Sequence, residues 1–140
     1  MQYREEYDGS FLAKLDRGEE VIESLKNLAR KLGWRSATFT GIGALDRLDV
    51  GYFDVKEKEY LRGRLEDSHE LLSLKGNIAI GPDDELVIHA HVVLGDRDMH
   101  VYGGHLFKGY VSVTAEIRIW PMDDVRREPD EETTLNLWNL

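Results

Sequence analysis

His89-Ala90-His91, followed by Gly103-Gly104-His105, places three of the chain's five histidines within 17 positions. The run Leu86-Val87-Ile88-His89-Ala90-His91-Val92-Val93-Leu94 is rich in β-branched residues and reads as a strand. Side chains two apart on a strand share a face, so His89 and His91 stand side by side, with Ile88, Ala90, Val92 and Leu94 on the apolar opposite face. The Gly103-Gly104 pair is expected to turn the backbone sharply and return His105 to the same spot. Imidazole nitrogen suits zinc and neighbouring transition metals. Three such ligands without a fourth would leave one coordination position open, as in catalytic rather than structural zinc sites. The competing reading is a pair of solvent-facing histidines on a half-buried strand.

The elements that must carry these residues follow from periodicity. Phe11–Leu15 reads as a short opening strand, and Asp16-Arg17-Gly18 turns into one strong helix. Val21, Ile22, Leu25, Leu28, Ala29 and Leu32 make its apolar stripe. Glu19, Glu20 and Glu23 suit its positive end, Lys26, Arg30 and Lys31 its negative end, and Gly33 lies just past it. After Gly33 the period changes to two. Strands are expected at 35–40, 48–55, 60–65, 70–80 and 86–94, then at 110–120, where Val111, Val113, Ala115, Ile117 and Ile119 alternate with polar residues until Pro121. The fold class expected is α+β, an antiparallel β-sheet packed with one main α-helix.

Composition narrows the function. A length of 140 residues suits a single domain with a real core. No run of about 18 apolar residues occurs, and the polar start Met1-Gln2-Tyr3-Arg4-Glu5-Glu6 does not read as a signal peptide. Cysteine is absent, which removes disulfides and thiolate chemistry, and the simplest location is the cytoplasm. The net charge of −9, with scattered basic residues, opposes direct DNA binding, which draws its strength from neutralising phosphates. High charge and a single glutamine fit a thermophilic source.

Gly41-Ile42-Gly43 precedes no helix, lacks a third glycine at nucleotide-binding spacing and is followed by no Gly-Lys-Ser/Thr, so it reads as a bend or a close backbone approach. No Gly-x-Ser-x-Gly elbow occurs.

Gly41-Ile42-Gly43-Ala44-Leu45, Glu70–Ile78, His89-Ala90-His91, Gly103-Gly104-His105-Leu106 and Thr114-Ala115-Glu116-Ile117 stand in an order that resembles the PPC (plants and prokaryotes conserved) domain, over about residues 10–120. The resemblance implies a compact antiparallel sheet with helical cover, assembled as a homotrimer. Prokaryotic members are often single-domain predicted DNA-binding proteins, whereas plant members carry an AT-hook that makes the DNA contact. No Arg-Gly-Arg-Pro hook is present here. The fold is also distantly similar to acetolactate decarboxylase, where a His-x-His pair and a later histidine hold zinc. That likeness points to His89, His91 and His105 as ligands of a divalent metal, zinc by preference. It does not carry decarboxylation with it.

Glu116 and Glu70 are the candidate catalytic carboxylates. Either beside a metal could act as general base on bound water. Glu116 could equally be a solvated or ion-paired strand residue, and Glu70 could cap a turn or pair with Arg62 or Arg64. His69 reads as a polar neighbour of Glu70, and His100 as a loop residue near enough to rival the other ligands. A metal-binding protein with a small-molecule ligand or a hydrolase or lyase activity, a DNA-associated regulator and a trimeric scaffold all remain open. Residues 121–140 hold six acids and two bases, yet end in Leu135, Leu137, Trp138 and Leu140. So apolar an end is expected to pack on the sheet or across a subunit boundary.

Overall fold

Two long strands, Ala37–Asp54 of 18 residues and Val101–Pro121 of 21, organise the molecule. The computed structural model describes residues 1–140. The elements run β1 (Gln2–Glu5), β2 (Phe11–Asp16), α1 (Val21–Leu32), β3 (Ala37–Asp54), β4 (Glu59–Leu65), β5 (His69–Ile80), β6 (Leu86–Gly95), β7 (Val101–Pro121), β8 (Arg126–Pro129) and β9 (Asn136–Asn139). All nine strands belong to one sheet, ordered β1-β2-β7-β3-β5-β8-β9, with β4 beside β3 and β6 joining β5 to β7. The pairings β3–β5, β5–β6, β6–β7 and β7–β3 therefore close on themselves. The α+β expectation holds in a sheet-dominated form.

The helix follows its sequence signals closely. Glu20 caps it, its carboxylate accepting from the amides of Ile22 and Glu23 at 3.2 and 2.7 Å. Gly33 ends it in the left-handed region at φ 76°. Val21, Leu25, Leu28 and Ala29 are buried in the core with Leu15, Phe39, Leu45, Leu74, Ala90, Leu94 and Ile119. Glu20 also accepts from the amide of Gly109 at 3.1 Å, tying the helix start to β7.

The expected strands at 35–40 and 48–55 are one strand. The bend anticipated at Gly41–Gly43 is a local slip in register rather than a break. A Cβ on Gly41 would stand 2.7 Å from the Glu116 carbonyl oxygen, so the close backbone approach is what needs glycine. Just beyond, Ala44 of β3 faces three residues of β7, Ser112 to Thr114. This bulge turns Val113 outward, 69% exposed, where strict alternation places it inside with Val111 and Ala115.

The Gly103–Gly104 pair does not turn the chain. The reversal occurs earlier, at residues 96–100, where the Asp96 amide donates to the His100 carbonyl at 3.1 Å and Met99 takes φ 65°. Both glycines lie within β7, where a Cβ on Gly103 would strike the Val92 carbonyl and one on Gly104 would lie 2.7 Å from the Gly51 carbonyl. Their role is to let three strands approach.

The chain beyond residue 120 is structured. Arg126 pairs with Ile80 in a single parallel bridge, and β8 and β9 form an antiparallel hairpin. Arg127 is buried within it, whereas Leu137, Trp138 and Leu140 stay exposed on the isolated chain.

Candidate metal centre

His91 and His105 are direct cross-strand partners in the β6–β7 ladder, and His89 lies two residues from His91 on the same face of β6. The opposite face, Ala90, Val92 and Leu94, is buried, which fixes which way the histidines point. One potential ligand atom from each imidazole lies within 4.8 Å of the other two. The Nε2 atoms of His89 and His91 are 3.2 Å apart. Two nitrogens at zinc–ligand distance from one ion, at a tetrahedral angle, stand about 3.3 Å apart, so the pair fits a shared ion.

The surroundings also fit. Burial, with the charges of neighbouring His89, His91, Arg62 and Arg127, lowers the His105 pKa to about 4. Burial, then Arg127 and His91, lower that of His89. Both rings are therefore neutral at physiological pH, with a lone pair to give. Tyr60 of β4 places its hydroxyl 3.5 Å from His105 Nδ1, and Phe107 packs 4.5 Å from the ring. Arg62, ion-paired with Asp49, lies 3.9 Å over Phe107.

Two residues of this setting escaped the sequence reading. Arg127 reaches from β8 with Nη2 2.7 Å from Asn77 Oδ1 and 3.4 Å from His89 Nδ1. Asn77 is the cross-strand partner of His89. Neither has a spacing signal: Arg127 sits in an acidic stretch, and Asn77 looks like any polar residue within a strand.

The remaining candidates lie elsewhere. Glu116 is eleven residues beyond His105 on β7, exposed and opposite Lys14 and Ile42. Glu70 is exposed seven residues before Asn77, while Arg62 and Arg64, its anticipated partners, pair with Asp49 and Glu66. Neither glutamate joins the histidine group. His69 is buried, 7% exposed, with Nδ1 2.7 Å from the Asp67 carbonyl and Tyr102 edge-on at 5.6 Å. His100 belongs to the β6–β7 turn, its ring 3.1 Å from Asp96 Oδ2. Asp96, Asp98 and His100 also cluster. Asp96 Oδ1 accepts the amides of Asp98 and His100, so the turn itself accounts for that cluster.

Lowered imidazole pKa values make a prediction for the metal-free protein. An unfolded histidine binds its proton near pH 6.5, whereas His105 in the fold resists protonation until about pH 4. Between those values the unfolded chain holds more protons, so stability is retained above about pH 6.5 and is lost as pH falls towards 4. Urea midpoints measured from pH 7 to 4 should fall less steeply for His105→Asn than for the wild type. Parallel curves would defeat the assignment.

A ring-closed, sheet-dominated α+β domain with three histidines converging from adjacent strands defines the class, and family comparison agrees with it. The chain belongs to the Plants and Prokaryotes Conserved (PCC, or PPC) domain family, whose model matches residues 4–123. A PPC protein of Pyrococcus horikoshii is 38% identical, with 94% of this chain and 91% of that one aligned at a TM-score of 0.87. A metal-containing protein of Archaeoglobus fulgidus is 34% identical over 100% of this chain and 99% of its own, at 0.88. A candidate DNA-binding protein of Ralstonia eutropha is 28% identical over 99% and 95%, at 0.89. Acetolactate decarboxylase of Bacillus subtilis shares only the fold, at 12% identity and a TM-score of 0.59 over 81% of this chain and 53% of that one. No curated protein matches the sequence.

Proposed function

We propose that this chain is a metal-binding member of the PPC family, with His89, His91 and His105 as the ligands of one divalent ion. The observation that carries this reading is the convergence of the three imidazoles from the paired strands β6 and β7. The metal-containing relative of A. fulgidus supports it. An all-imidazole donor set favours zinc, and three protein ligands leave a position for water or a small-molecule ligand, where a zinc ion would supply Lewis-acid chemistry for a hydrolase or lyase step. The deciding measurement is metal content after purification without a metal-affinity tag, with one ion per chain expected and a metal-free protein overturning the reading.

Homotrimeric assembly in the cytoplasm completes the proposal. Light scattering coupled to size exclusion should report three chains, and deletion of residues 134–140 should lower the melting temperature, because it removes β9 and the Asn136 carbonyl that accepts from Arg127 at 2.8 Å. A monomer, or an unchanged melting curve, would refute the corresponding half.

A DNA-associated regulator is the second reading, favoured by relatives such as the candidate DNA-binding protein of R. eutropha. The net charge of −9 argues against direct contact. Titration against labelled duplex at physiological ionic strength should show no binding, and tight, salt-sensitive association would reverse this ranking.

A further inference from the structure

We infer that Arg127 and the three-histidine centre together receive a small oxyanion, a carboxylate or a phosphate, shared between the bound ion and the guanidinium. The inference rests on the metal reading above.

Arg127 is only 6% exposed, yet it has no carboxylate partner. Its hydrogen bonds go to neutral acceptors, Nη1 to the Asn136 carbonyl and Nη2 to Asn77 Oδ1. The adjacent Arg126 pairs with Asp84, and Arg62, across the site, pairs with Asp49. A buried cation without a counter-charge is a costly arrangement unless something else supplies the charge. The metal ligands do not supply it. All three are imidazoles, and no carboxylate joins their cluster, so a divalent ion there would add two further positive charges beside Arg127.

Hydrogen-bond inventory points the same way. The Nε2 atoms of His89 and His91 face each other, so an ion held there takes the His89 Nε2 lone pair and leaves that ring's proton on Nδ1. Nδ1 lies 3.4 Å from Arg127 Nη2, which then faces it donor to donor. Arg127 Nε is buried and has no partner at all. Nε and Nη2 donate from one edge of the planar guanidinium, the geometry that two oxygens of a carboxylate or phosphate accept. The loaded centre thus combines an open metal position, an incompletely satisfied guanidinium edge and an excess of positive charge. An oxyanion answers all three.

Cobalt(II)-loaded, full-length protein provides the test. Acetate and inorganic phosphate would be titrated separately, with binding followed by calorimetry and by the visible cobalt spectrum. At least one of the two should bind the wild type tenfold or more tighter than Arg127→Gln and perturb the spectrum, and the stronger of the two identifies the source. Arg127→Lys keeps the charge without the two-donor edge and should fall between; it also decides the matter if Arg127→Gln fails to fold or to hold cobalt. Equal affinities in the wild type and the variants at one cobalt per chain would overturn this inference and leave the metal reading standing. Anion binding that is the same without cobalt would also overturn it. Failure of the wild type to take up cobalt would overturn both.

Discussion

Replacing His89 and His91 together by alanine is expected to take the protein from one bound ion per chain to none, with its circular dichroism unchanged. Removing an outer-sphere partner of a ligand commonly costs about 10–100-fold in affinity, and the double variant removes two of three ligands outright. The fold should survive because neither side chain belongs to the buried core, which is built from the opposite face of β6 and from α1, β2, β3, β5 and β7. Elemental analysis after dialysis gives the answer: stoichiometric metal in His89→Ala/His91→Ala would refute these ligands.

The second large effect is expected at Gly104. A valine there would press its Cβ against the Gly51 carbonyl at 2.7 Å and the carbonyl carbon at 3.4 Å. Backbone cannot rotate away as a side chain can, so β7 must move off β3. Overpacking of this kind typically costs about 1–3 kcal/mol, and because His105 is the next residue, metal affinity should fall as well. Gly63→Val is the control, since nothing lies within 4 Å of a Cβ at that exposed position on β4. Urea denaturation of the two variants should separate them clearly. Equal midpoints would show that β3 and β7 accommodate the added bulk.

Much of this architecture was legible because periodicity reports burial. The stripe Val21–Leu25–Leu28–Ala29 and the alternation along β6 each followed one face of an element, and the core sits on those faces. His89 and His91 were legible for the same reason. His105 does lie beside His89 and His91, but by a different route from the one expected: a Gly-Gly pair permits a turn and a close approach equally, and only the neighbouring strands decide between them. Val113 obeyed the alternation locally, but a bulge set by Gly43 and Leu45, far away in sequence, reversed it. The hairpin β8–β9 and β1 are four-residue strands with no apolar alternation, formed because edges of the sheet accept them. Arg127 followed them out of sight.

The pairing order of β7 also bears on how the molecule assembles from the unfolded chain. Its contacts with β6 join residues only ten or so apart, whereas those with β3 and β2 span many tens of residues. Closing a short loop costs less entropy than closing a long one, and chains dominated by distant pairings fold slowly. The β6–β7 hairpin is thus one of several local pairings, with β3–β4 and β5–β6, that close only a short loop, and it already contains all three imidazoles. Arg127 arrives only once β8 has docked on β5. The three proposed metal ligands are in this way brought together by a local pairing, whereas the guanidinium beside them depends on a distant one.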